Sequence, residues 1–213
     1  MDSLLYIERK FYRSSFLTGV RAGPRIQQVK ALSHSIVIIR HLKERRSKCS
    51  VQPFIRDPGF TFYNARPGFV YDATGHIMLS LDAPQLTVED GVWEAEEPRG
   101  GSAGCPGVEE QGARACPVTE KRPLLLLDST WRRLPNMAKC VSGMPLRRSL
   151  PDWVRTAYPR IGQFQEDPEV GLSTVEALYL ALRLLGEDRA DLLDRYHWKS
   201  LFLRQFDDRG CFE

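Results

Sequence analysis

Four consecutive leucines, at positions 124–127, follow Pro123 and constrain the fold more than any other stretch of the chain. An unbroken apolar run of this length is typical of a strand buried on both faces, as in the middle of a parallel sheet. Asp128 follows at the carboxyl end of the predicted strand, which is where open α/β sheets bind their ligands. We therefore expect an α/β protein with a mainly parallel sheet and a functional site at this strand end.

Residues 128–133 read Asp-Ser-Thr-Trp-Arg-Arg and allow two interpretations. In the first, the acid and the two hydroxyls form a helix N-cap, because such side chains accept hydrogen bonds from unpaired backbone amides. In the second, an acid, two hydroxyls, an indole and two guanidinium groups gathered in one turn form a binding site. Local chemistry alone leaves both interpretations open.

Further elements follow from periodicity. Residues 35–39, 60–63 and 76–81 are short and apolar, which predicts strands. If the third of these strands is a neighbour of the leucine strand, the ends of the two lie side by side. Residues 86–94 predict a short amphipathic helix. Ser173 and Glu176 have the spacing of a capping box, so we expect a helix that begins there and stops at Gly186.

The domain prediction has three parts. Residues 1–34 form a basic N-terminal arm, residues 35–131 an α/β domain, and residues 132–213 a mainly helical domain whose last helix covers about residues 189–206. Within the α/β domain, residues 98–120 are rich in Gly and Pro and lack apolar periodicity, which predicts a mobile surface insertion.

The net charge of +3 conceals a strong segregation of charge along the chain. Residues 1–50 carry 11 basic and 3 acidic side chains, and residues 121–160 carry 9 and 2. Residues 51–120 reverse the balance, with 4 basic and 11 acidic side chains. A basic run is usually a solvated surface, but one of these blocks adjoins Asp128, so nucleic acid is a candidate partner.

The composition argues against several other classes of protein. The apolar run at residues 4–7 is too short for a signal peptide, and no stretch approaches the roughly 20 apolar residues that span a bilayer. The five cysteines include no C-x-x-C pair, so we expect neither a disulfide framework nor a metal site. A cytoplasmic protein without a membrane partner fits this composition best.

Two motifs carry a family resemblance. Residues 128–131 resemble the Asp-x-(Ser/Thr)-Trp signature of DTW-domain proteins and of the related ribosomal-RNA aminocarboxypropyltransferases. Residues 171–177, Gly-Leu-Ser-Thr-Val-Glu-Ala, resemble the Leu-Ser-x-(Val/Leu)-Glu-Ala block that these families carry downstream. Residues 48–50 are similar to the middle of a family loop, Asp-Pro-Lys-x-Cys-(Ser/Thr)-Gly, although Val51 stands in place of its glycine.

The resemblance implies a fold and a reaction. The fold would be SPOUT-like, with a knotted cofactor pocket between an α/β part and a helical part. The reaction would transfer the aminocarboxypropyl group of S-adenosylmethionine to a uridine or pseudouridine base in ribosomal or transfer RNA. By the same resemblance, the donor would be bound by Ser50, Ser80, Leu81, Ser129, Thr130, Trp131, Leu150, Gly162, Leu172, Ser173 and Thr174. Ser50 and the backbone amides near Ser173 would hold its amino-acid end.

Asp128 is the predicted catalytic residue, either as a general base for the imide proton of the acceptor or as a negative charge beside the sulfonium. The RNA phosphates would be bound by Arg45, Arg46, Lys48, Arg132, Arg133, Arg147 and Arg148. Three alternatives stay open. The chain could be a SPOUT-like methyltransferase, a non-catalytic RNA-binding module, or a protein in which Asp128 and Ser173 serve only as helix caps.

Overall fold

The structure is a computed structural model that describes residues 31–44, 49–94, 119–159 and 171–207. Its strands are β1 (Ile36–His41), β2 (Phe60–Ala65), β3 (Tyr71–Asp72), β4 (Ile77–Leu79), β5 (Val92–Glu94), β6 (Thr119–Lys121), β7 (Leu124–Asp128), β8 (Val141–Ser142) and β9 (Leu146–Arg148). Its α-helices are α1 (Leu134–Ala138), α2 (Thr174–Leu184) and α3 (Lys199–Asp207).

Within these residues, five strands form one sheet in the order β2-β1-β7-β4-β9, and every neighbouring pair is parallel. The predicted α/β fold with a mainly parallel sheet is therefore confirmed. The leucine strand is β7, which lies at the centre of the sheet, and Leu124, Leu125 and Leu126 are at most 3% exposed. Strand β9 belongs to the same sheet although it lies beyond residue 131, where we predicted the mainly helical domain to begin.

The sheet is covered on both faces because side chains alternate along its strands. Ile36 and Ile38 of β1 pack on one face, in a cluster that includes α2 and Phe202 of α3. Val37 and Ile39 pack on the other face, against Met137 of α1 and the ribbon formed by β3 and β8. Burial on both faces explains why the central strands read as continuous apolar runs.

Two predicted helices differ from the observed elements. Residues 86–94 form a 3-10 turn, Val88–Gly91, and then β5, which pairs with β6. The helix predicted over residues 189–206 is broken into a 3-10 turn, Ala190–Leu193, and α3. The break accommodates Tyr196, whose hydroxyl turns inward to donate to Glu176 at 2.8 Å, a contact that helical periodicity does not reveal.

The sheet is forked at its carboxyl edge. Strand β7 pairs with β1 along five residues, up to the Arg40–Asp128 pair, but with β4 only at Leu124 and Leu125. The two strands are neighbours, but beyond Met78 and Leu125 they are no longer paired. Such a crevice at the carboxyl ends of parallel strands is where α/β sheets bind ligands.

Several predictions concern residues that the structure does not describe, among them nearly all of the N-terminal arm and of the insertion at 98–120. No helix within the described residues is long and apolar enough to cross a membrane. The same part of the chain contains no group of three or more His, Cys, Asp or Glu side chains that could hold a metal ion.

Candidate active site

A cleft of about 970 Å³ lies in the fork between β4 and β7. Its wall combines the carboxyl ends of these strands with β9, the chain after β9, α1 and the first turn of α2. This wall includes seven of the residues predicted to bind the donor, namely Ser80, Leu81, Ser129, Trp131, Leu150, Leu172 and Thr174. The fold therefore brings together residues from four distant parts of the sequence.

The remaining predicted donor residues lie elsewhere. Among the described residues, Ser50, Thr130 and Ser173 are outside the wall of the cleft, and Thr130 is exposed to solvent. Gly162 lies outside the part of the chain that the structure describes. Asp128 is 5% exposed and lies immediately behind the wall, between Leu127 and Ser129.

Both oxygens of the Asp128 carboxylate accept hydrogen bonds from the protein. Oδ1 accepts from the Thr174 hydroxyl at 2.8 Å, and Oδ2 accepts from the Cys49 thiol at 3.0 Å. The Nε atom of Arg40 lies 3.6 Å from Oδ2, which makes a buried ion pair. The carboxylate thus joins β7, the loop after β1, and the first turn of α2.

Arg40 is a site residue that the sequence did not suggest. It follows the β-branched run of β1, its side chain is only 7% exposed, and its guanidinium lies 5.3 Å from the centre of the Phe62 ring. Its Nε atom is buried and has no hydrogen-bond partner among the described residues, because 3.6 Å is too long for one. The only available signal was the placement of an arginine at the end of an apolar strand.

Cys49 donates to Asp128 as a neutral thiol. Burial, followed by the charge of Asp128 and the hydrogen bond to it, raises the pKa of Cys49 to about 12. The thiol therefore keeps its proton at neutral pH, and it is a structural donor rather than a nucleophile.

Ser50 and the first turn of α2 are in contact although they are 125 residues apart. The Ser50 hydroxyl oxygen accepts the amide of Val175 at 3.1 Å. One of the amides that we predicted to hold the donor is therefore already paired, and Ser50 is its partner. Both were predicted to lie at the donor's amino-acid end, and the structure places them together.

The predicted capping box is confirmed. Ser173 caps α2, and the Glu176 carboxylate accepts the Ser173 amide at 2.8 Å. Glu176 is 0% exposed and also accepts hydrogen bonds from Thr156, Ala157 and Tyr196, at distances of 2.6–2.8 Å. Its role thus exceeds that of a cap, because it fixes the loop at 156–157 and the aromatic residue Tyr196 to α2.

Ser129 offers the clearest sign that the cleft can hold a ligand. Its hydroxyl oxygen is buried and has no hydrogen-bond partner in the described part of the chain, and the residue lines the cleft. A buried hydroxyl without a protein partner is uncommon, and this one is placed to bond a ligand in the cleft. The apolar wall, which includes Leu81, Leu126 and Trp131, is of the kind that accommodates an adenosine and a methyl group.

The predicted RNA-binding side chains that the structure describes fall into three groups. Arg132 and Arg147 are exposed and line the cleft. The positive charge of Arg133 acts on His41. Partial burial is the main cause that lowers the pKa of His41, and the charges of Arg133 and Lys43 lower it further. Arg148 donates two hydrogen bonds to Asp90, at 2.8 and 2.6 Å, so it is held within the fold. The structure does not describe Arg45, Arg46 and Lys48.

Ser149 and three other polar residues of the cleft were not predicted. Asp82, Gln85 and Asp152 line it beside Arg147, so the cleft contains charges of both signs. Asp82 and Gln85 follow the end of β4, just beyond the strand predicted over residues 76–81. Their position in the wall depends on the pairing of β4 with β9, which the sequence did not reveal.

Comparison with solved structures finds a likeness to Tsr3, the SAM-dependent rRNA:acp-transferase from Vulcanisaeta distributa. The TM-score is 0.53 at 22% sequence identity, and the match covers 82% of this chain and 79% of that one. No protein-family model and no curated protein sequence matches the chain. At this identity the likeness shows a shared α/β fold.

Proposed function

We propose that the protein transfers the aminocarboxypropyl group of S-adenosylmethionine to a uridine or pseudouridine base in RNA. The observation that carries this proposal is the cleft in the fork between β4 and β7. It gathers Ser129 and Trp131 of the first motif and Leu172 and Thr174 of the second into one wall. If both motifs only capped helices, there would be no reason for their residues to line the same cleft.

The structural comparison supports the same reaction. The enzyme from Vulcanisaeta distributa that shares the fold is an SAM-dependent rRNA:acp-transferase. The proposal includes membership of the DTW-domain and aminocarboxypropyltransferase superfamily, with a SPOUT-type knot, and a cytoplasmic location. Ribosomal RNA is the preferred acceptor, and transfer RNA is the alternative that the assay below can distinguish.

When bound, S-adenosylmethionine would supply a sulfonium whose three attached carbons are all electrophilic. Which carbon reacts is decided by position, because only a carbon held close to and in line with the nucleophile is attacked. Leu81 and Trp131 would enclose the methyl and adenosine groups, and Ser50 and the first turn of α2 would hold the amino-acid end. The aminocarboxypropyl carbon would then face the acceptor.

The reaction balances without an added oxidant or reductant. A bond forms between a base nitrogen and the aminocarboxypropyl carbon, while the bond from that carbon to sulfur breaks and its electron pair returns to the sulfur. The products are the modified base, methylthioadenosine and the proton that leaves the nitrogen. Because both oxygens of Asp128 are engaged, we assign this residue a positioning and electrostatic role in preference to that of the proton acceptor.

RNA would bind across the mouth of the cleft, where Arg132 and Arg147 are exposed. Arg147→Gln should weaken RNA binding and reduce the slope of log affinity against log salt concentration by about 0.7 for a lost single-strand phosphate contact. Arg56→Gln is a matched control, because Arg56 is exposed and precedes β2 at the opposite, amino edge of the sheet. An equal effect of the two substitutions would contradict this binding surface.

The reaction is tested with S-adenosylmethionine labelled either in the carboxyl group or in the methyl group, incubated with separate ribosomal and transfer RNA fractions. We expect carboxyl label, and no methyl label, in one RNA fraction. Trp131→Ala should reduce the incorporation strongly, whereas Arg56→Gln should leave it unchanged. Methyl label in RNA would assign the protein to the methyltransferases, and absence of both labels from every RNA tested would refute the proposed reaction.

A further inference from the structure

The transfer needs a group that accepts the imide proton, and the wall of the cleft offers few candidates. Both oxygens of Asp128 are engaged by the protein, and this residue lies behind the wall. Within the described residues, the wall contains no His, Lys, Tyr or Cys side chain. Asp82 and Asp152 are its two carboxylates, so they are the groups that can act as a general base there.

Asp82 is held at the cleft by a short loop, residues 80–84. The strand β4 pairs with β9 before the loop, and Gln85 pairs again with Ser149 after it. The amide of Ser80 donates to a carbonyl of β9 at 2.8 Å, and the amide of Ser149 donates to the last residue of the loop at 2.8 Å. Both ends of the loop are therefore fixed to one strand, while Asp82 between them is exposed.

The position of Asp82 lies between the proposed donor site and solvent. Ser80 and Leu81, which directly precede it, line the same cleft, and Leu81 is 47% exposed. Consecutive Cα atoms are about 3.8 Å apart, so Asp82 is adjacent to the residues that would enclose the donor. A nucleobase that enters the cleft from solvent can therefore reach both Asp82 and the donor.

The polar groups on this part of the wall are not satisfied by the protein. Among the described residues, the side chains of Asp82 and Gln85 make neither a hydrogen bond nor an ion pair. Asp82 offers acceptor oxygens, and the amide group of Gln85, three residues further on, offers two donor hydrogens. The wall thus presents an acceptor and a donor that are both available to a ligand.

This pair of side chains is complementary to a uracil ring. The imide N–H of uracil can donate to the Asp82 carboxylate, and a neighbouring carbonyl of the ring can accept from Gln85. Single-stranded RNA is commonly read in this way, through hydrogen bonds to the edge of an unstacked base. The cytosine ring has no imide hydrogen, so its ring nitrogen would face the carboxylate with a lone pair.

We infer that Asp82 is the general base of the transfer, which accepts the imide proton of the acceptor base, and that Gln85 positions this base by donating to one of its carbonyl groups. The inference rests on the proposed function and identifies the proton acceptor in it. The proton moves from the nitrogen to the Asp82 carboxylate as the bond from nitrogen to carbon forms and the electron pair of the carbon–sulfur bond returns to sulfur. The carboxylic acid then releases the proton to water.

The test compares the full chain with its Asp82→Asn variant, by the rate of carboxyl-label transfer to ribosomal and transfer RNA. Asparagine keeps the size of the side chain and an acceptor oxygen for the imide, but it does not take up the proton. We expect transfer at pH 7 to be about 10²- to 10⁴-fold slower, with an unchanged affinity for S-adenosylhomocysteine in calorimetric titration.

The pH dependence separates a lost base from a structural defect. Without Asp82, transfer needs an imide that has already lost its proton to solvent, so the rate of the variant should rise about tenfold per pH unit above pH 7. The wild-type rate should rise less steeply. Asp152→Asn is measured in parallel, because Asp152 is the other carboxylate of a wall whose remaining charged groups are Arg132 and Arg147.

Asp188→Asn is the matched control, because Asp188 is exposed and lies beyond the opposite end of α2 from the cleft. It should transfer label as the wild type does. The inference is overturned if Asp82→Asn keeps the wild-type rate, if Asp152→Asn is the slower variant, or if Asp82→Asn and the wild type depend equally on pH. Failure of the proposed function is a different result that refutes both, because the wild type itself would then transfer no carboxyl label.

Discussion

Two buried carboxylates lie near the first turn of α2, and they are satisfied in different ways. Glu176 accepts hydrogen bonds from two hydroxyls, of Thr156 and Tyr196, and from two backbone amides, of Ala157 and Ser173. All four donors are neutral and lie 2.6–2.8 Å away, so both oxygens are fully used. Glu176 thus resembles a structural clamp that joins two loops to a helix.

Asp128 is held by fewer and longer contacts, which include a charge. Its donors are the Thr174 hydroxyl and the Cys49 thiol, and Arg40 is close enough for an ion pair but not for a hydrogen bond. A region selected only for stability would be expected to complete this network or to replace it with apolar side chains. The difference teaches that two equally buried acids can be held in different ways, and that the atom left without a hydrogen bond beside the cleft is the Nε of Arg40.

The largest expected effect comes from separating the charges around Asp128. Arg40→Met and Asp128→Asn should each lower the free energy of unfolding by about 3–5 kcal/mol, because each leaves one buried charge without its partner. The double variant should lose less free energy of unfolding than either single variant, because it leaves no buried charge without a partner. Urea denaturation of all four proteins measures this, and additive losses would show that the two residues do not interact.

Removal of the charge of Glu176 should have a smaller effect. Glu176→Gln places an amide group opposite backbone donors that cannot reorient, which should cost about 2–3 kcal/mol of unfolding free energy. Tyr196→Phe removes only one of the four donors and should cost about 1 kcal/mol. Urea denaturation would contradict the comparison if Glu176→Gln were as costly as Arg40→Met.

Alkaline pH should weaken the Asp128 region through Cys49. The folded pKa of this thiol, about 12, lies above its ordinary value of 9.0, so the unfolded chain loses the proton first. The contribution of this thiol to the free energy of unfolding is therefore fully present below about pH 9. It declines by at most about 1.4 kcal/mol per pH unit as the pH rises towards 12. In the Cys49→Ala variant, the free energy of unfolding from urea denaturation should decline less steeply between pH 8 and roughly 10.5, the window that this linkage sets. If the variant and the wild type lose free energy of unfolding equally with pH, the role of Cys49 is refuted.

The smallest effect on stability is expected at Ser129. Its buried hydroxyl has no partner among the described residues, so Ser129→Ala should change the free energy of unfolding by less than about 0.5 kcal/mol. The same change should weaken the binding of S-adenosylhomocysteine by about 3- to 10-fold, since one hydrogen bond to the ligand is lost. Unchanged affinity in a calorimetric titration would remove Ser129 from the proposed binding site.

The sequence was informative where the signal is local. The leucines of β7 report burial on both faces through composition alone, and Ser173 with Glu176 reports a helix start through a spacing of three residues. Asp128 was located because it terminates a recognisable strand. Each of these features depends on a few consecutive residues, which is why the structure confirms them.

The remainder depends on contacts between distant parts of the chain. Arg40 was missed because a basic residue after a strand normally marks a surface loop, and its burial follows only from the parallel pairing of β1 with β7. The helix predicted over residues 189–206 was wrong because its periodicity does not show that Tyr196 is bonded to Glu176. Asp82 follows β4 and Asp152 follows β9, so the pairing of these two strands brings both residues to the cleft.

The central claim is that the fork between β4 and β7 binds S-adenosylmethionine. The most direct test is a crystal structure of the protein grown with S-adenosylhomocysteine. We expect the ligand in the cleft, with its adenosine beside Trp131 and its amino-acid end at the first turn of α2 near Thr174 and Ser50. A ligand bound elsewhere on the molecule, or a cleft that remains empty at saturating concentration, would contradict the account.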